Sequence, residues 1–133
     1  MKLLITGSRK FDNYKVLKQA IEEVQKLQGE KITIVLHGGA KGADTLAQSW
    51  AEENKVPTQI IKPDYKKYNG NTAPLIRNKE LVKLADCTLA LYTKDRTGGT
   101  WYTSQETIKA GKPLYEYLTT NKLKYTAPVK TLF

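Results

Sequence analysis

Apolar positions along this chain switch between two periods, and the switches mark out the elements. Lys2 to Thr6 is an apolar run of strand length. From Asn13 the period lengthens to that of a helix, with Tyr14, Leu17, Ile21, Val24 and Leu27 on one face and Gly29 as a stop. Ile32, Ile34, Val35 and Leu36 make a second, β-branched run. A second helical pattern opens at Asp44 and gathers Leu46, Ala47, Trp50 and Ala51. Pro57 to Ile61 reads as a third strand, since proline is tolerated where a strand begins. Residues 62–72 are a polar, aromatic loop. Pro74 suits the first turn of a third helix carrying Leu75, Ile76, Leu81, Val82 and Ala85. Cys87 to Tyr92 is a fourth strand, Trp101 to Ala110 a fourth helix ended by Gly111, and Pro113 to Tyr117 a fifth strand. The tail from Thr119 to Phe133 has no period and is assigned no element.

Strands alternating with helices, the strands short and apolar, imply an α/β fold with a mostly parallel five-stranded sheet covered by helices on both faces. Right-handed crossovers with one reversal of winding give a doubly wound sheet, most simply ordered 3-2-1-4-5. Ligands of such sheets bind outside the carboxyl ends of the strands, at the reversal, here between strands 1 and 4. Residues 1–133 read as one domain.

Composition narrows the setting. A chain of 133 residues is long enough to bury about two-thirds of its unfolded surface. No apolar run approaches the ~20 residues that span a bilayer, and no membrane partner is expected. The apolar start is too short for a secretory signal and runs into a glycine turn, as a first strand does. One cysteine excludes a disulfide framework and suits a cytoplasmic protein. With one histidine and no Cys/His cluster, no metal is expected, and no cofactor is called for. The formal charge of +9 favours anionic ligands without choosing between a small one and a polymer.

The candidate chemistry lies in three glycine-bearing turns that each follow an apolar run. In the first, Gly7 permits a sharp turn while Ser8 and Arg9 offer a hydroxyl and a guanidinium to phosphate; the alternative is an ordinary turn with Arg9 in solvent. The second, from His37 through Gly38, Gly39, Ala40, Lys41, Gly42 and Ala43 to Asp44, has glycines for close backbone approach and Lys41 for charge. Asp44 suits either ribose hydroxyls or simple N-capping. His37 suits fixing the loop by hydrogen bonding better than acting as a base. Arg77 and Asn78 sit early in the third helix, where an arginine either decorates the surface or aims into the crevice. Thr97, Gly98, Gly99 and Thr100 open the fourth helix as an anion seat. Together the turns would line one crevice with exposed backbone N–H groups.

The combination resembles the YspA-like branch of the SLOG superfamily, a group that also includes DprA and the LOG-type phosphoribohydrolases. The matching residues are Ile5-Thr6-Gly7-Ser8-Arg9 with Phe11 and Asp12, the second turn through Asp44 with Ala47 and Ala51, Pro63-Asp64 before Tyr68, Arg77-Asn78 leading to Ala85-Asp86, Gly98-Gly99-Thr100, and Gly111-Lys112-Pro113. The resemblance implies a Rossmann-like fold, homo-oligomerisation, and a nucleotide or nucleotide-derived small molecule as ligand. In LOG enzymes an arginine and a glutamate act on an N-glycosidic bond. Arg77 matches the arginine, but Trp101, Tyr102, Thr103 and Ser104 follow Gly98-Gly99-Thr100 where the glutamate is due, and Glu106 comes about one turn late. The expectation is therefore a sensor or sequestering protein. The alternatives are a phosphoribohydrolase using Arg77 with Glu106 or Asp44, and single-stranded nucleic-acid binding through Tyr65-Lys66-Lys67-Tyr68.

Overall fold

The computed structural model describes residues 1–93, 98–118 and 124–126. The elements are β1 (Lys2–Gly7), α1 (Tyr14–Gln28), β2 (Ile34–His37), α2 (Ala43–Glu53), β3 (Thr58–Ile60), α3 (Ala73–Leu84), β4 (Cys87–Tyr92), α4 (Gly98–Lys109), β5 (Leu114–Leu118) and β6 (Lys124–Thr126). They form a Rossmann-like α/β arrangement with one sheet ordered β3-β2-β1-β4-β5-β6. Neighbours pair in parallel from β3 through β5, and β6 returns antiparallel to β5. The expected order of the first five strands is observed. The sixth lies in the tail, where three residues are too few for a period to register; Tyr125 packs edge-on against the Tyr115 ring, with centroids 4.6 Å apart.

Side chains of a strand alternate between faces, so the two sides of the sheet are separate cores. Leu3 and Ile5 of β1 join Leu89 and Leu91 of β4 beneath α1 and α2. Leu4 and Leu36 pack instead with Leu81 and Val82 of α3. Ala90, Tyr92 and Leu114 pack with Ile108 of α4. The seam between α4 and β4 is built of hydroxyls: Thr107 Oγ1 donates to Thr88 Oγ1 at 2.9 Å, and Tyr92 and Ser104 share a bond of 2.8 Å.

Boundaries differ from the expected ones in instructive ways. Asn13 caps α1, accepting from the Val16 N–H, and Gly29 ends it in the left-handed conformation. Leu27 is 54% exposed all the same. The buried stripe of Leu17, Ala20, Ile21 and Val24 continues through Gln28, whose Nε2 donates to the Tyr115 hydroxyl. Ile32 is buried ahead of β2, and its N–H donates to Gln25 Oε1. The glycine pair 98–99 belongs to the first turn of α4, with Thr97 outside the described residues. Among the described residues no helix is long and apolar enough to cross a membrane.

The two leucines of α1 make opposite predictions. Leu17→Ala should lower the unfolding free energy by about 2–5 kcal/mol, because its site cannot fully collapse. Leu27→Ala should change it by no more than about 0.5 kcal/mol. Urea titrations of both variants decide whether the stripe turns toward Gln28.

Candidate functional site

The carboxyl ends of the central strands open into a crevice of about 510 Å³. Leu4, Ile5 and Leu81 line its apolar part, and the loops after β1, β2 and β4 meet α3 around it. Of the sequence candidates, Gly7, Ser8, Arg9, Gly38, Ala40, Asp44, Arg77, Asn78, Gly99 and Thr100 line this space. His37, Gly39, Lys41 and Gly98 do not.

The turn after β1 extends its pairing with β4, since the Ser8 N–H donates to the Leu91 carbonyl at 2.9 Å. The Ser8 carbonyl then accepts from the Phe11 and Ala43 N–H groups, which brings the start of α2 against this turn. The approach requires glycine at 42, where φ is +75° and a Cβ would lie 2.6 Å from the Arg9 carbonyl carbon. Ser8 Oγ accepts from the Lys10 N–H and from Thr93 Oγ1, both at 3.1 Å.

The second turn corrects the expectation of exposed N–H groups. Three of its donors, on Gly38, Gly39 and Ala40, are spent inside the protein. Gly38 N and Ala40 N both donate to Asp44 Oδ2 at 3.1 Å, and Gly39 N donates to His37 Nδ1 at 3.0 Å. With Nδ1 accepting, the His37 proton sits on Nε2, which lies 2.7 Å from Gln48 Oε1. His37 is thus buried behind the turn as a brace. Asp44 lies one residue inside α2 and bonds backward to the turn, so it is no N-cap. Lys41 is exposed.

Arg77 reaches from α3 to tie three segments together. Nη1 donates to the Gly38 carbonyl at 2.8 Å and to the Ile61 carbonyl at 3.3 Å, while Nε donates to Asn78 Oδ1 at 2.6 Å. The guanidinium occupies the space a side chain at 38 would need, for a Cβ there would sit 2.6 Å from Arg77 Cζ. The glycine thus makes room for a protein cation as well as for any ligand.

Asp44 is 7% exposed, yet it lines the crevice. Burial pushes its carboxyl above the ordinary range, against the Ala40 and Gly38 N–H groups and the nearby His37 and Arg77, which favour the anion. Only Oδ2 is engaged among the described residues, and no fully buried side-chain oxygen lacks a partner, so Oδ1 keeps some exposure on a residue that lines the crevice. Burial also lowers the Arg77 pKa, with Asp44 and Tyr65 opposing that shift. Gly99 and Thr100 stand opposite, in the first turn of α4, where the N–H groups of a helix have no intrahelical acceptors.

Glu106 opens elsewhere. It lines a separate hollow of about 340 Å³ beside Lys79 and Lys83, and lies 3.7 Å from Lys109 Nζ. Lys10, Pro74, Leu75, Tyr92, Thr93 and Thr103 line the crevice without having been read as site residues in the sequence. Thr93 alone had a signal, its place directly after the strand at the winding reversal.

A model of the YspA, cpYpsA-related SLOG family matches residues 1–68 of the chain. The Gene 61 protein of Mycobacterium phage D29 is 32% identical over 122 residues, covering 87% of this chain and 95% of that protein. No solved structure matches it.

Two measurements probe the loop architecture. Gly38→Ala should cost about 1–3 kcal/mol of stability by overpacking, and less than half that in an Arg77→Ala background; equal costs would show that the guanidinium is not the obstacle. Because the folded Asp44 carboxyl titrates above its unfolded value, its contribution to stability is complete below about pH 4 and is lost as pH rises through the raised value. Asp44→Asn keeps an oxygen for the two N–H groups and should abolish that decline. Urea titrations from pH 4 to 7 should find it at least as stable as wild type at the upper end.

Proposed function

The chain belongs to the YspA, cpYpsA-related SLOG family, and on that premise we propose that the crevice binds a nucleotide or nucleotide-derived signal, NAD-derived or cyclic, as a sensor or sequestering protein that does not cleave it. Membership carries a Rossmann-like fold and nucleotide-related chemistry. The observation that supports this ligand class is the polarity of the crevice. Arg9, Arg77 and the first turn of α4 face the same space as the open oxygen of Asp44. An anion is repelled by Asp44 and finds the Gly38, Gly39 and Ala40 N–H groups already engaged, so its place is beside Arg9 and α4. A hydroxyl donor belongs at Asp44 Oδ1. An anionic group joined to hydroxyls is the pattern of a sugar phosphate.

A second reading, an N-glycosidic hydrolase, draws on one observation, the raised carboxyl pKa of Asp44, which suits a proton donor. Glu106 offers that reading nothing, since it opens onto another hollow. Free base released from a nucleoside monophosphate, and lost in Asp44→Asn, is its signature.

Calorimetry against nucleoside mono- and diphosphates, ADP-ribose and cyclic dinucleotides should find at least one ligand that binds below millimolar concentration, with no turnover over a day. Arg9→Ala should weaken it about tenfold, the worth of one charge-assisted hydrogen bond. Asp44→Asn should weaken it while leaving the fold intact. Native mass spectrometry of the purified protein would reveal a co-purified nucleotide and count the subunits of the proposed homo-oligomer together. No binding by any of these ligands at millimolar concentration would end the proposal.

A further inference from the structure

The crevice described so far accounts for a phosphate and a sugar, and leaves the rest of a nucleotide without a seat. We propose that Tyr65, on the loop between β3 and α3, is the platform on which the base stacks, an inference that rests on the nucleotide reading above.

Placement is the first argument. The loops at the carboxyl edge follow the order of the strands, so the β3 loop lies beside the second glycine turn, then the turn after β1, then the start of α4. At about 4.8 Å per strand these four loops span about 14 Å. With the phosphate beside α4 and Arg9 and the sugar at Asp44, the next position along the edge belongs to the β3 loop. That loop is tied to the second turn: the Ile61 N–H donates to the His37 carbonyl at 3.2 Å, and Arg77 Nη1 donates to the Ile61 carbonyl. Arg77 Nη1, which also holds the Gly38 carbonyl, thus joins the second turn to the residue that leads into the β3 loop.

Presentation is the second. Asp64 Oδ1 accepts from the Lys66 and Lys67 N–H groups, and its carbonyl accepts from the Tyr68 N–H, which closes a braced turn. The ring on that turn is nevertheless 59% exposed. Holding a ring in place without packing it lowers the ordering cost of stacking a ligand on it. Tyr68 does not compete, because it is half-buried and Lys67 Nζ lies 5.4 Å from its ring centroid. One open ring fits a single base, whereas a nucleic-acid strand would want successive platforms.

The test titrates AMP and ribose 5-phosphate into wild type, Tyr65→Phe, Tyr65→Ala and Trp101→Ala, the last because Trp101 is an exposed ring next to Thr100, which lines the crevice. Tyr65→Ala should weaken AMP about tenfold and leave ribose 5-phosphate unchanged, in keeping with the worth of one stacked base. Tyr65→Phe should bind AMP as wild type does. Equal losses for the two ligands, a phenylalanine variant as weak as alanine, or a selective loss of AMP only in Trp101→Ala would each overturn the assignment. Unchanged AMP affinity in Tyr65→Ala would overturn it too, while ribose 5-phosphate binding upheld the crevice itself. Wild type that binds neither ligand would overturn the platform for a nucleoside monophosphate, and the nucleotide reading would fall with it only if the full calorimetric panel were empty too.

Discussion

The buried carboxylate of Asp44 is the constraint around which the crevice is arranged. A turn of small residues after a strand has no side chains to hold its shape, and here one oxygen of Asp44 takes two of its N–H groups. Arg77 then takes the Gly38 carbonyl from the other side. Cation and anion grip opposite ends of the same peptide segment, and each moderates the cost of burying the other. The second turn is thereby set in place before any ligand arrives, and its neighbour after β1 can nest against it at Gly42.

That constraint also decides where negative charge can go. Glycine-rich turns at a winding reversal invite a phosphate reading wherever their amides point outward. In this protein the amides of Gly38, Gly39 and Ala40 point at Asp44 and His37. The first turn of α4 offers the crevice further N–H groups, and the buried face of that helix consists of Thr100, Thr103, Ser104 and Thr107. Hydroxyls of this face bond to β4 side chains and to the helix backbone, so α4 sits on the sheet without an apolar stripe. Thr103 Oγ1, for instance, donates to the Gly99 carbonyl at 2.9 Å. A helix seated this way brings its amino end to the crevice opposite Asp44. Polarity across a single cavity, with cations and helix amides at one side and an acceptor at the other, favours a ligand that carries both phosphate and hydroxyls over a simple anion or a polymer backbone.

Much of this was legible in the chain. Short apolar strands alternating with amphipathic helices determine a doubly wound parallel sheet, because each strand must bury both faces and each helix one. The strand order follows from handed crossovers, and the crevice from the order. Asn13, Gly29 and Pro74 mark helix ends through local chemistry that needs no distant partner. Small residues in three turns, with Arg9, Asp44 and Arg77 nearby, likewise point to the crevice.

Tertiary structure alone decided what each of those residues does there. Glycine reads the same whether a ligand, a guanidinium or another backbone fills the space beside it, so Gly38 and Gly42 became intelligible only when Arg77 and Arg9 were seen against them. The direction of an N–H group is likewise absent from composition and period, since it depends on which acceptor the fold brings within 3 Å or so. Strand β6 escaped, and the hydroxyl packing of α4 did too, for a related reason: a three-residue strand and a hydroxyl seam owe their stability to partners far away in the chain. Period and local propensity are properties of neighbours along the chain, and they determined the fold. The site is made of contacts between residues tens of positions apart, and only folding decides those.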